Sequence, residues 1–169
     1  MGFGIRSAHL LPHLATRTAR RPRLAALRGS ATRGVERAFQ AFVRASGDAR
    51  LERTAGSDRG LALVFAAMAR TYDPARAGGF RGELQFDLRR ADGRLVPWSV
   101  LLDPGRATAR RGSARAPALT LTLSVADFLR LAAGDLDAGR ALLTGRLDLA
   151  GDFSLAQRLG EMFGRPTAL

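Results

Sequence analysis

Cysteine and lysine are both absent from this 169-residue chain. Without cysteine the chain can form no disulfide and no zinc–thiolate site, and it has no cysteine nucleophile. Without lysine it has neither a Schiff-base amine nor the lysine of a Walker-type phosphate loop. All 27 basic residues are therefore arginine. This bias, together with abundant alanine, glycine and leucine, indicates a GC-rich coding sequence of bacterial type.

Long apolar runs are also scarce. The longest, residues 61–69, has nine residues, about half of the ~20 that a membrane-spanning helix needs. With 46% hydrophobic and 25% charged residues, the composition is typical of a soluble globular protein. We therefore expect a cytoplasmic protein that has no membrane span but can still associate with a membrane surface.

The motifs of common enzyme active sites are missing from the sequence. There is no G-x-S-x-G elbow, no H-E-x-x-H pair and no G-x-G-x-x-G loop. The two histidines, His9 and His13, have the i, i+4 spacing of metal ligands. They stand beside Pro12 with no carboxylate near them in sequence, so we expect exposed side chains and not a metal site. We predict a protein with no catalytic residues, no metal and no cofactor.

The net charge of +12 is concentrated near the N-terminus. Residues 1–55 contain 11 arginines and three acidic residues, whereas residues 56–169 contain 16 arginines and 12 acidic residues. The basic extension has three candidate roles: contact with anionic lipid, nonspecific nucleic-acid binding, or no ligand, with only residues 33–45 packed on the rest of the chain. Near anionic lipid each arginine contributes about 1 kcal/mol. Nucleic-acid binding is disfavoured because few aromatic residues are available to stack on bases.

The domain boundary is predicted just after a short amphipathic helix. A helix over residues 33–45 follows from four apolar residues that share one helical stripe, namely Val35, Phe39, Phe42 and Val43. A polar segment ending near Gly56 comes next. We therefore divide the chain into a basic, partly helical extension, residues 1–55, and a folded domain, residues 57–166.

The hydrophobic period within that domain switches between helix and strand. Asp58 can cap a helix whose apolar residues have helical spacing: Leu61, Val64, Phe65 and Met68. Alternating apolar residues then predict strands near 83–89, 96–102, 106–111, 119–123 and 147–149. Further helices are expected after Ser124, Asp137 and Asp152, which can act as N-caps. The order α-β-β-β-β-α-α-β-α predicts an α/β fold of the α+β type, with one sheet covered by helices.

Three motifs in this domain carry a resemblance to a known family. The first is a hairpin whose second strand contains Trp98, in GELQFDLRRADGRLVPWSVLLDPG. The second is a Thr-rich strand that leads into a helix and a glycine break, in ALTLTLSVADFLRLAAGDLD, with Ser124, Asp127, Leu131 and Gly134. The third is the strand-to-helix turn in GRLDLAGDFSLAQRLGEMF, with Gly145, Leu147, Leu149, Gly151 and Asp152. In this order and spacing, residues 58–165 resemble the sterol carrier protein-2 (sterol-binding) domain.

This resemblance implies more than the residue pattern does. It implies a five-stranded mixed sheet with helices on one face and an apolar tunnel between them. It also implies ligands such as fatty acids, acyl-CoA esters, phospholipids or sterols. Residues 1–55 lie outside the resemblance.

The candidate ligand-binding residues are the apolar side chains that line the expected space between sheet and helices. They are Leu84, Phe86, Trp98, Val100, Leu121, Phe128, Leu155, Leu159, Met162 and Phe163. The pattern alone would make them a packed core in any domain of this kind, and it is the resemblance that favours a cavity. Arg81, Arg106 and Arg158 are candidates to pair with an anionic head group, and the final helix is a candidate lid.

The sequence thus predicts a non-catalytic carrier that shelters an apolar molecule: a fatty acid, acyl-CoA, phospholipid, isoprenoid or sterol-like ligand. One alternative is an accessory factor that presents a lipid, such as a prenylated quinone, to biosynthetic enzymes. The other is a protein-interaction domain with a filled core. Besides the lipid, the expected contact is with an anionic membrane surface through the Arg-rich N-terminus.

Overall fold

The computed structural model describes the backbone of residues 22–164 and side chains from residue 33 onward. The predictions for His9, His13 and the rest of residues 1–21 lie outside this part of the chain. The chain divides into two compact units, Met1–Gly34 and Val35–Leu169, and the second contains the sheet. No helix in the described residues is both long and apolar enough to cross a membrane.

Within the described residues, three helices precede the sheet: α1 (Pro22–Arg44), α2 (Asp48–Arg53) and α3 (Asp58–Arg70). Near the end of α1, Val43 is buried in the same core as the sheet, and Phe39 and Phe42 pack against that core. Val35, predicted on the same stripe, is 74% exposed. The packed core thus extends N-terminal to the boundary predicted near residue 56.

Helix α2 forms where the sequence led us to expect an irregular polar segment. The side chain of Leu51 in this helix is fully buried, and Asp48, at the start of the helix, pairs with Arg130. A short, mostly polar helix with one anchoring leucine has no detectable apolar period, so burial and an ion pair hold it in place. The cap of α3 also differs from the prediction. Ser57, not Asp58, is the N-cap, and its Oγ accepts the Gly60 N–H at 3.2 Å.

The sheet contains five strands in the order β3-β2-β1-β4-β5. They are β1 (Gly82–Arg89), β2 (Leu95–Asp103), β3 (Arg106–Arg111), β4 (Pro117–Ser124) and β5 (Leu147–Gly151). Strands β1 and β4 pair in parallel, and all other pairs are antiparallel. The arginine-rich β3 lies at an edge, where charge discourages pairing with another chain. The predicted five-stranded mixed sheet with helices is confirmed.

Three more helices complete the fold: α4 (Val125–Ala133), α5 (Ala138–Leu143) and α6 (Phe153–Met162). Each begins at a predicted cap, because the side chains of Ser124, Asp137 and Asp152 accept backbone N–H groups of their helices. Before α6, Gly151 has a φ of 108°, and a Cβ there would lie 2.3 Å from the carbonyl oxygen of Ala118. Only glycine lets β5 approach β4 this closely.

The main core lies on one face of the sheet. Leu84, Phe86 and Leu88 of β1 alternate with polar residues and are all buried. This face packs against Phe65 of α3 and Phe128 of α4. The architecture therefore places large apolar side chains of two helices directly over the centre of the sheet.

Candidate functional site

Four aromatic rings form a buried cluster between the helices and the sheet. Phe65 lies at its centre, with its ring centroid 4.5 Å from Trp98, 4.7 Å from Phe128 and 5.3 Å from Phe86. The first two contacts are stacked and the third is edge-on. Phe86 and Phe128 complete the cluster at 5.8 Å. Such ring pairs add to the stabilisation that burial of their area provides.

Strand register explains why these rings meet. Phe86 of β1 lies opposite Trp98 of β2 and, on its other side, opposite Leu121 of β4. Leu84 likewise lies opposite Val100. Because side chains two residues apart share a face, the three strands present one continuous apolar surface to the helices.

All ten predicted ligand-binding residues belong to this one core. Eight are buried, namely Leu84, Phe86, Trp98, Val100, Leu121, Phe128, Leu155 and Met162. The other two, Leu159 and Phe163, are partly buried and pack against it. The structure thus brings the candidate residues together, while the predicted apolar tunnel stays a prediction.

Phe65 was not among the predicted site residues, although it contacts the other three rings of the cluster. The helical spacing of its apolar neighbours marks it as part of a buried face. That spacing does not indicate which strands the helix covers. The signal that could have identified it is its position in the middle of the longest apolar run in the chain.

Two polar atoms at this site are buried and have no hydrogen-bond partner among the described residues: the indole Nε1 of Trp98 and the hydroxyl of Tyr72. Tyr72 follows α3, and its ring lies 5.7 Å from that of Phe163. Burial and the carboxylates of Asp103 and Asp73 raise the pKa of Tyr72 above its usual value of 10.0.

Helix α6 is anchored at one side of the cluster by both apolar and polar contacts. Leu155 and Met162 are buried. The Arg158 guanidinium donates to the carbonyl oxygen of Ala77 at 2.6 Å, and the Asp73 N–H donates to that of Met162 at 2.7 Å. The predicted lid is therefore fastened at two points to the segment that follows α3.

The three arginines predicted as candidates to pair with an anionic head group have different surroundings. Arg158 donates to backbone carbonyls. Arg106 lies 4.0 Å from Asp103, and Arg81 is exposed. Nothing in the described residues assembles them into a common anion site.

A separate charged groove of about 730 Å³ lies where α2 and the start of α3 meet the β1–β2 turn. Arg90 donates to Asp58 Oδ1 at 2.9 Å and to the Gly56 carbonyl at 3.1 Å. Arg111 donates to the other oxygen of Asp58 at 2.7 Å. Because charged side chains line this groove, it is not the apolar tunnel that the sequence predicts.

All four residues of the ring cluster lie in the part of the chain that matches a family model. A family model described as the SCP-2 sterol transfer family matches residues 65–164. This range begins at the central phenylalanine and ends just after α6. No curated protein matches the chain.

Three solved structures illustrate the structural similarity. A double mutant of the sec-alkyl sulfatase PisA1 is 25% identical, with a TM-score of 0.51, covering 67% of this chain and 17% of that one. The inverting sec-alkylsulfatase Pisa1 from Pseudomonas sp. is 27% identical, with a TM-score of 0.48, covering 60% of this chain and 15% of that one. Sterol Carrier Protein 2 Like 2 from Aedes aegypti is 27% identical, with a TM-score of 0.48, covering 60% of this chain and 94% of that one. The chain therefore corresponds to about a sixth of each alkylsulfatase.

Proposed function

The chain belongs to the SCP-2 sterol transfer family, and from this premise we propose that it binds an apolar, lipid-like molecule and carries it without chemical conversion. The ligand-binding region is the space between the sheet and helices α3, α4 and α6. Its ligand class comprises fatty acids, acyl-CoA esters, phospholipids, isoprenoids and sterol-like molecules.

The observation that carries this proposal is the buried ring cluster around Phe65. The side chains of the cluster and around it are aromatic and aliphatic. The removal of apolar area from water, and not directed polar contacts, would therefore stabilise a ligand bound there. A 16-carbon chain at ~0.8 kcal/mol per methylene would contribute about 12 kcal/mol before the loss of ligand freedom is subtracted. This balance allows micromolar to nanomolar affinity for a lipid.

The rings touch one another, so a ligand has to part the cluster. We propose that α6 moves to admit it. The helix has ten residues, and its polar anchors are the Arg158 contact with Ala77 and the Met162 contact with Asp73. Breaking these two hydrogen bonds costs little when water replaces them. The larger cost is the exposure of Leu155 and Met162, which an apolar ligand that takes their place in the core offsets.

The charged side chain nearest to the core has an evident structural partner. Asp127 is the buried charged residue of the core. Its carboxylate is engaged by Arg146 and Arg130, which suits a structural role.

We further propose that the protein acts in the cytoplasm and contacts anionic membranes through its basic N-terminal extension. Arg33, Arg37 and Arg44 of α1 are all exposed. Lipids are exchanged at membranes, and exposed arginines lengthen the time that a carrier spends at an anionic surface.

A second candidate function is that of an accessory domain that presents an apolar substrate to an enzyme. The observation that favours it is the similarity to part of an alkylsulfatase at a TM-score of 0.51. A third candidate, a protein-interaction domain with a filled core, draws support from the direct contact of the four rings.

The test is native mass spectrometry of the purified full chain, followed by solvent extraction and identification of what co-purifies. We expect about one fatty acid, phospholipid or isoprenoid per chain. The same ligand should stay bound to a variant that lacks residues 1–34, since the second compact unit starts at Val35.

The matched comparison uses Phe65→Trp, which overfills the cluster, and Leu63→Trp, which adds the same side chain at a position that is 69% exposed. We expect only the first to release the lipid. A full chain that is empty and also fails to take up a fluorescent fatty acid would reject the carrier role and leave the interaction domain.

A further inference from the structure

The indole N–H of Trp98 is a buried donor whose acceptor is not in the described protein. Trp98 is 5% exposed, and its Nε1 makes no hydrogen bond with the described residues. Buried donors in folded proteins are nearly always paired, and an unpaired one is costly. The cost disappears if a bound molecule supplies the acceptor.

The ring that stacks on Trp98 does not replace this acceptor. The ring of Phe65 stacks on the indole at 4.5 Å with an angle of 8° between the planes. Because the N–H lies in the indole plane, it runs parallel to the face of Phe65 and cannot donate to it. The two cross-strand neighbours of Trp98 are Phe86 and Arg111, and the guanidinium of Arg111 can only donate. The next side chains on the same face of β2, Val96 and Val100, also offer no oxygen or nitrogen acceptor.

The charge of the surroundings restricts what the acceptor can be. The buried polar residues of the described chain are Ser46, Gln85, Ser99 and Asp127, and none is cationic. The guanidinium of Arg111, opposite Trp98 on β3, is 56% exposed and already pairs with Asp58. A carboxylate or phosphate beside the indole would therefore have no buried cation to pair with, and its burial would cost more than one hydrogen bond returns. A neutral carbonyl, ester or hydroxyl oxygen carries no such penalty.

We infer that Trp98 is a specificity-determining residue, whose indole N–H donates to a neutral oxygen within an otherwise apolar ligand. This inference rests on the proposed function and narrows it. The ligand carries an ester, ketone or alcohol oxygen that enters the ring cluster. A free fatty acid, if bound, keeps its carboxylate away from the indole.

The experiment uses the full chain and the fact that Trp98 is its only tryptophan. A ¹H–¹⁵N spectrum then contains one indole resonance, which shifts downfield when the N–H forms a stronger hydrogen bond. The probes are hexadecan-1-ol and heptadecane, which have equal numbers of heavy atoms, together with palmitate. All are delivered from cyclodextrin at neutral pH.

We expect the alcohol to shift the indole resonance downfield and to bind at least about fivefold more tightly than the alkane, as one net hydrogen bond allows. The alkane and palmitate should bind without that shift. Replacing Trp98 by benzothienylalanine, which has sulfur in place of the N–H, should abolish the preference for the alcohol. Trp98→Phe provides the same comparison if the analogue protein does not fold.

The matched control is Tyr72→Phe, which removes the other buried, unpartnered donor of this site and should leave the preference intact. Equal affinities for alcohol and alkane, with an unshifted indole, would overturn the inference and leave the carrier function standing. Loss of the preference in Tyr72→Phe but not in the Trp98 variants would assign the oxygen to Tyr72 instead. Binding of none of the probes would reject both the inference and the carrier function.

Discussion

The two faces of the central sheet are covered by different kinds of contact. On one face, Phe86 and Trp98 pack against rings of α3 and α4. On the other, the connection between β3 and β4 passes β2 and β1 and is held by hydrogen bonds. The Ala114 N–H donates to Gln85 Oε1 at 2.6 Å, and the Arg115 N–H donates to Glu83 Oε2 at 2.7 Å.

This difference explains how one small domain can be both adaptable and well defined. Apolar contacts are nondirectional, so the rings of the helical face can rearrange around a guest at modest cost. Hydrogen bonds lose their strength when distance and angle change. The polar face therefore fixes the register of the sheet, while the aromatic face is the one that we propose to accommodate a ligand.

The largest expected loss of stability comes from removing the part of the chain that precedes α3. A chain of residues 57–169 lacks Val43 and Leu51, which are 1% and 0% exposed, whereas a chain of residues 35–169 keeps both. We expect the shorter chain to be less stable by roughly 5 kcal/mol, since each lost side chain leaves a cavity in the core. Urea unfolding followed by circular dichroism measures the difference.

The longer variant is the control, because it removes only the first compact unit. If both variants unfold at the same urea concentration, the domain boundary lies near residue 56, as the sequence predicts. In that case the packing of α1 and α2 contributes nothing to the stability of the ring cluster.

A smaller loss of stability is expected from a substitution that leaves a cavity in the ring cluster. Phe65→Ala removes the ring that contacts Phe86, Trp98 and Phe128. We expect a loss of about 3–5 kcal/mol in the free energy of unfolding. Leu63→Ala on the exposed side of the same helix should change it by no more than about 0.5 kcal/mol. Similar values for the two variants would contradict the packing of α3 over the sheet.

Much of this fold could be predicted from local patterns, because strands with one buried face alternate visibly along the sequence. The hairpin of β1 and β2 and the caps at Ser124 and Asp152 follow from residue types alone. The strand order and the parallel pairing of β1 with β4 do not, since periodicity says which face is buried but not which strands are neighbours. The family resemblance implies a five-stranded mixed sheet but specifies neither the strand order nor the parallel pair, which only the structure shows.

The missed features have a common physical cause. Helix α2 and the central position of Phe65 both depend on contacts between segments that are far apart in sequence. Ser57 caps α3, while Asp58 pairs with Arg90 and Arg111, which lie 32 and 53 residues away in sequence. Likewise, alternation predicts that Trp98 is buried, but only the packed structure shows that its N–H meets no acceptor.

The smallest expected change in stability concerns Glu83, on the polar face of the sheet, and depends on pH. Backbone N–H groups of Arg115 and Ala116, followed by the nearby charge and hydrogen bond of Arg110, hold the pKa of Glu83 below its usual value of 4.5. A carboxyl whose pKa is lower in the folded state stabilises the fold above its unfolded pKa. That stabilisation disappears as the pH falls through the lower, folded value.

Glu83→Gln keeps an oxygen that can accept these N–H groups but removes the titrating charge. We therefore expect the wild type to be more stable than the variant at pH 7 and this advantage to shrink steadily as the pH falls below about 4.5. Urea unfolding of both proteins between pH 7 and pH 3 measures it. A difference that stays constant with pH would show that Glu83 acts only as a neutral acceptor. The aromatic face, which has no titrating group in its ring cluster, provides the internal reference, because the loss caused by Phe65→Ala should not vary over the same pH range.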